Sequence, residues 1–181
     1  EFMDEVEAAR MELIEAAAEG EDALLEKYLE GDQLTAEEIS RGLKKVILNG
    51  TYIPVFVTAG SAEIGLAPLL DAMVNLMPSP LEATPAVATG KDGDEILKPA
   101  DHEPLAAYVW KTTADPFVGK ITYFRVYSGM LTSDSRVWNQ NKSTDERFGT
   151  VHILRGKEQI SAKTIHAGDI ASVPKLSATS T

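Results

Sequence analysis

IPVFVTAGSA, residues Ile53–Ala62, is an apolar and largely β-branched run that stops on Gly60-Ser61-Ala62. A continuous run of this kind predicts a strand over Ile53–Ala59 buried on both faces, as in a parallel sheet. Small residues at the end of such a strand let backbone approach a planar ligand without side-chain obstruction. A helix follows over Leu66–Met77, with Leu69, Leu70, Met73, Val74 and Met77 as its buried stripe. Pro78-Ser79-Pro80 stops it, because proline removes a donor and restricts the residue before it. Strand, small-residue loop and helix predict the end of an α/β domain. One strand cannot make a sheet, so the reading requires neighbours from outside this chain.

Working back toward residue 1, three helices are predicted. Residues 3–18 form an amphipathic helix with Val6, Ala9, Leu13, Ala16 and Ala17 inward, ended by Gly20. Residues 22–29 form a short helix presenting Leu24, Leu25, Tyr28 and Leu29, stopped by Gly31. Thr35-Ala36-Glu37-Glu38 has the form of a capping box and opens a third helix to about Leu48. That helix turns Ile39, Leu43, Val46 and Ile47 inward, and Asn49-Gly50 makes a turn after it.

Working forward, residues 81–103 combine Pro85, Pro99, Gly90, Lys91-Asp92-Gly93 and scattered charges, and predict a linker. From Leu105 the pattern changes. LAAYVWKT, GKITYFRVYSG, SRVWN, RFGTVHIL, ISAKTI and DIASV are strand-length segments separated by turn residues. Short strands at that spacing predict a small β-barrel. The fold class is thus an α/β remnant followed by an all-β barrel. The domain plan is 1–80, a linker over 81–103, and a barrel over 104–181 with its closing strand truncated.

The net charge of −11 hides an asymmetry. Residues 1–40 carry fourteen acidic side chains against two basic ones, whereas residues 104–175 carry ten basic against six acidic. An acidic helical head and a mildly basic tail predict different partners. The chain has no cysteine, which excludes disulfides, thiolate metal sites and cysteine nucleophiles. No apolar run approaches the ~18–20 residues that span a bilayer, and no signal-peptide pattern opens the chain. A cytoplasmic, monomeric chain with no membrane partner is the expectation.

Several chemistries are ruled out by their residues. The Gly-Lys pairs at 90–91, 119–120 and 156–157 lack the Ser or Thr of a phosphate loop. Asn141-Lys142-Ser143-Thr144 is close to a guanine-reading Asn-Lys-x-Asp, but Thr144 cannot accept the two hydrogen bonds that a carboxylate would. A turn is predicted there. His102, His152 and His166 are widely spaced and accompany no ligand or nucleophile pattern, so neither a metal site nor a catalytic residue is predicted. The acidic head has no EF-hand loop.

The stretch VFVTAGSAEIGLAPLLDAMVNLMPSP resembles the end of the GTP-binding domain of bacterial elongation factor G, including the fifth guanine-nucleotide motif of that family. LLEKYLEGDQLTAEEI resembles the inserted subdomain before that motif. EPLAAYVWKTTADPFVGKITYFRVYSGMLTSDSRVWN is similar to the start of the family's second domain, a β-barrel of the translation-factor domain II type, and AGDIASV to a later strand. Five residues, EIGLA, separate Ala62 from Pro68, where the common family form has a longer loop. This shortening is similar to the elongation factor G-like paralogues.

The resemblance implies a central fragment of a translational GTPase that drives tRNA–mRNA movement on the ribosome. Gly60, Ser61 and Ala62 would line the guanine pocket of the parent, with the Ala62 N–H donating to guanine O6 and Ser61 bracing the loop. GTP or GDP with Mg²⁺ would be the cofactors of the intact parent, none being expected on this fragment, which is expected not to hydrolyse GTP. The resemblance also implies two ribosomal contacts. The acidic helices, through Glu12, Glu15, Glu19, Glu21, Asp22 and Glu26, would meet the stalk protein. The barrel, through Lys111, Lys120, Arg125, Arg136, Lys142, Arg147 and Arg155, would meet small-subunit rRNA. The alternatives are a stand-alone adaptor module on a β-barrel, or a related GTPase acting in ribosome protection or peptide release.

Overall fold

Thr35 marks where the third helix begins. In the computed structural model, which describes residues 2–90 and 93–181, its Oγ1 accepts from the Glu38 N–H at 3.2 Å, while its own N–H donates to Glu38 Oε2 at 2.7 Å. The expected capping box is present, and two amides that the helix leaves unpaired are satisfied locally. This helix, α3 (Ala36–Leu48), follows α1 (Phe2–Ala18) and α2 (Asp22–Leu29) and precedes α4 (Leu66–Leu76). The chain divides into two compact units, Glu1–Ser79 and Pro80–Thr181.

In the first unit α1 and α3 meet through backbone rather than through large side chains. Gly42 is buried, and a methyl group placed on it would overlap the Ala17 carbonyl oxygen. A methyl group on Gly20 would likewise strike the Gly42 carbonyl. Ala16, Ala17, Ala18, Leu24 and Val46 are the buried apolar residues of this unit. Lys27 of α2 binds Glu38 of α3 at 2.9 Å, and Arg41 of α3 binds Glu21 at 3.0 Å.

The buried faces expected from periodicity are only partly realised. Val6 and Leu13 of α1 are exposed, as is Ala9, and so is Leu29 of α2. Leu70, Met73 and Val74 of α4 and Met77 just after it are exposed, and only Leu69 of the expected stripe is half-buried. The strand expected over Ile53–Ala59 is not formed. Residues 52–58 pair with no strand among the described residues, and Ile53, Val55 and Val57 are each more than four-fifths exposed. Apolar spacing specifies which side of an element would be buried, but burial itself needs a second surface, and no sheet among the described residues of this unit supplies one.

The second unit is antiparallel β structure. Its strands are β1 (Val87–Gly90), β2 (Gly93–Ile96), β3 (Ala106–Asp115), β4 (Gly119–Ser128), β5 (Leu131–Thr132), β6 (Arg136–Asn139), β7 (Thr144–Arg147), β8 (Val151–Arg155), β9 (Glu158–Ala162), β10 (Thr164–Ile165) and β11 (Ile170–Pro174). A five-stranded sheet has the order β3-β4-β11-β8-β9, beside the pairs β10-β5 and β6-β7. These sheets share one core. Phe124, Val126, Leu131, Phe148, Val151, Ile165, Ala171, Val173 and Leu176 are buried together, and the Phe124 and Phe148 rings meet edge to face at 5.6 Å.

Three details differ from the sequence reading. The region expected to be a linker contains the β1–β2 hairpin, with Val87 opposite Ile96; Lys91 and Asp92 lie outside the described residues. RFGTVHIL is two strands, because Phe148-Gly149-Thr150 turns the chain between β7 and β8. ISAKTI is likewise split, between β9 and β10.

Candidate functional site

Gly60–Ala62 forms a single 3-10 turn at the end of the extended segment. Ala59 and Ile64 close it as an antiparallel bridge, each N–H donating to the other's carbonyl, at 3.0 and 3.2 Å. Ala59 O also accepts from the Ala62 N–H at 3.1 Å. Glu63 and Gly65 both adopt left-handed backbone, at φ 56° and φ 76°. Gly65 is also the N-cap of α4, so the short EIGLA connection spends its few residues on reversing the chain and starting the helix. Gly60, Ser61 and Ala62 are all exposed. The amide expected to read guanine therefore points to Ala59 in this structure, and a base taking that proton would share it with, or take it from, Ala59 O.

The acidic residues do not behave as one set. Glu12, Glu15, Asp22 and Glu26 are not tied to a basic side chain by any ion pair among the described residues, whereas Glu21 is tied to Arg41. Glu19 accepts from the Tyr52 hydroxyl at 3.2 Å. Burial, then the Glu19 charge and hydrogen bond, raise the Tyr52 phenol. Glu38 is the strongest perturbation in this unit. The Thr35 amide, then the Lys27 ammonium, hold its carboxyl at about 2.

The basic residues of the second unit also separate. Arg147 pairs with Asp134 at 3.2 Å and Arg155 with Glu158 at 3.5 Å. Lys120 donates to the Thr179 carbonyl. Arg136 and Lys142 are exposed, the latter in the β6–β7 turn, where its N–H donates to Asn139 Oδ1 at 3.0 Å and Ser143 adopts φ 48°. Asn141-Lys142-Ser143-Thr144 is therefore a turn leading into β7, at the rim of a cleft of about 390 Å³ between β3, the β6–β7 hairpin and the tail. Lys111 and Arg125 instead sit against rings, Lys111 Nζ 5.9 Å from the Tyr123 centroid and Arg125 4.9 Å from that of Tyr127.

The histidines remain apart. His102 is exposed beside Glu103 at 3.8 Å. His166 Nδ1 lies 2.7 Å from Asp101 Oδ2, a bond that holds the Asp101 carboxyl below its usual range. His152 sits on β8 with its Nδ1 shielded and without a partner among the described residues. Among the described residues no three His, Cys, Asp or Glu side chains are placed to hold a metal ion. No helix there is long and apolar enough to cross a membrane.

Sequence reasoning missed Glu146. Its buried carboxylate accepts from the Ser177, Ala178 and Thr179 amides at 2.6, 2.7 and 3.0 Å, and from the Ser177 and Thr179 hydroxyls at 3.2 and 2.6 Å. Burial alone would raise this carboxyl. The bonds from Thr179, Ala178 and Ser177 outweigh it and hold the group below its ordinary value. The Thr-Asp-Glu-Arg spelling of β7 gives no hint of this, because every donor lies some thirty residues further along.

Residues 104–181 match the family model for elongation factor G domain 2. Residues 104–181 thus carry the second domain of the elongation factor G family. The chain is similar over 96% of its length to the crystal structure of ttk003000868 from Thermus thermophilus, at 31% identity and a TM-score of 0.72. The match spans only 24% of that Thermus chain. Helices followed by antiparallel β structure around one core are the fold of an elongation factor G piece that includes its β-barrel second domain.

Proposed function

We propose that this translation-factor piece joins the guanine-reading loop of a ribosome-associated GTPase to its second domain. The observation that carries the reading is the pairing, in one chain, of the domain 2 match over residues 104–181 with an exposed Gly60-Ser61-Ala62 turn. Ser61 and Ala62 would line the guanine pocket of the parent, which uses GTP or GDP with Mg²⁺ to move tRNA and mRNA. The sequence holds no phosphate loop, so phosphate and Mg²⁺ contacts belong to other parts of the parent. Phosphoryl transfer there depends on positioning and electrostatics rather than on any nucleophile in this chain. The short EIGLA connection favours the paralogous branch.

The exposed acids of α1 and α2 would meet the stalk protein through complementary basic groups on it, and the cations of the second unit would meet rRNA phosphates. The test is Ala62→Pro in the parent protein, which removes the donor. GTP affinity is expected to fall roughly tenfold, as for one hydrogen bond to a desolvated acceptor. Unchanged affinity would overturn the guanine role of the loop. The chain by itself is expected to give no response with a fluorescent GTP analogue at micromolar concentration.

A further inference from the structure

The outward face of the β3–β4–β11–β8 sheet gathers aromatic rings and cations. Register places Tyr108 opposite Arg125, Lys111 opposite Tyr123, Tyr123 opposite Ser172, and Ser172 opposite His152. A register shift between Val109 and Lys111 makes Trp110 the extra residue of a bulge. Its ring consequently joins this face, 5.7 Å from Tyr123 and tilted by 47°. Tyr108 is 62% and Trp110 43% exposed, unusually open for rings of this size.

The charge of this face is mainly positive. Lys111 and Arg125 form no ion pair among the described residues, Arg125 Nε is shielded without a partner, and so is His152 Nδ1. The one carboxylate that the register places on this face is Asp115, at the β3–β4 turn, where its Oδ1 already accepts from the Phe117 and Val118 amides. An apolar protein surface would leave these cations uncompensated. Duplex RNA would compensate the cations but leave the rings in water. An unpaired polynucleotide satisfies both, with bases on the rings and phosphates beside the cations.

We propose that this face binds unpaired nucleotides of RNA, with Trp110, Tyr108 and Tyr123 as stacking platforms and Lys111 and Arg125 as phosphate contacts. The inference rests on the rRNA reading of the second unit and adds to it the requirement for splayed bases.

The test uses the full chain carrying Trp138→Phe, so that Trp110 is its single tryptophan, with a ten-nucleotide oligo(A) RNA as probe. Oligo(A) should quench Trp110 and bind several-fold more tightly than a ten-base-pair RNA duplex at the same salt. Trp110→Leu, followed with a fluorescein label on the RNA, should weaken oligo(A) binding roughly tenfold and leave duplex binding alone, and Trp110→Tyr should restore most of it. Tyr108→Leu is the second variant, since that ring is too exposed to carry the fold. Equal binding of duplex and oligo(A) without quenching would overturn the stacking inference and leave the phosphate reading standing. Binding of neither RNA would overturn both. Quenching by poly-glutamate as strong as by oligo(A) would assign the face to an acidic protein instead.

Discussion

The two units treat apolar side chains in opposite ways. In the second unit Phe124, Val126, Val151 and Val173 are wholly buried. In the first, Val57 is 93% and Val74 80% exposed, although both lie in segments whose sequence is at least as apolar. β-strands of the second unit supply each other's covering surface. In the first unit α1 and α3 pack through Ala17, Gly20 and Gly42, while Leu70, Met73 and Val74 of α4 and most of residues 53–57 stay exposed. Hydrophobic content therefore does not distinguish the units, whereas the presence of a facing layer does.

This contrast can be broken experimentally because the units report separately. Both tryptophans lie in the second unit, and every helix among the described residues longer than one turn lies in the first. The largest effect is expected from Phe124→Ala, which empties the centre of the β core and removes the contact with Phe148. It should cost ~3–5 kcal/mol of second-unit stability. Tryptophan fluorescence should report unfolding at much lower denaturant, with the helical ellipticity transition unmoved. A joint shift would show that the units unfold as one.

Gly42→Ala is expected next. The added methyl overlaps the Ala17 carbonyl, so α1 and α3 must separate, at a cost of about 1–3 kcal/mol. Helical ellipticity should be lost earlier while tryptophan fluorescence holds. The smallest effect is that of pH on the capping box. Glu38 is held at about 2, below its unfolded value of 4.5. Its stabilisation is thus fully present above 4.5 and is lost as pH falls toward 2. Glu38→Gln should flatten the acid dependence of the helical signal across that window. An unchanged acid profile would mean that Thr35 and Lys27 do not hold this carboxylate in solution.

Legibility followed sequence distance. The capping box is contained in four residues, and its two hydrogen bonds follow from spelling alone. The β3 and β4 segments were equally plain as strands, and the structure shows Asp115 closing the turn between them by accepting from the Phe117 and Val118 amides at 2.9 and 2.8 Å. The Gly60-Ser61-Ala62 loop could be located as the end of an apolar run. Its conformation could not, because the engagement of the Ala62 N–H by Ala59 depends on how Glu63 and Gly65 turn back. The β1–β2 hairpin was missed because its strands are four residues each and carry turn-forming residues. The Trp110 platform was missed because strict alternation says nothing about a bulge that moves one residue onto its neighbour's face.

The sequence by itself determined the helix starts, the change from helical to strand spacing near Leu105, and the segregation of charge between the two ends. These are local properties, set by backbone sterics, capping and residue spacing. Tertiary structure alone decided which apolar faces are covered, and which cations stay free once Arg147, Arg155 and Lys120 have found partners. It also decided that Glu146 of β7 fastens residues 177–179. Those outcomes require groups distant in sequence to meet, and the energy of a buried side chain or a desolvated charge depends on what it meets.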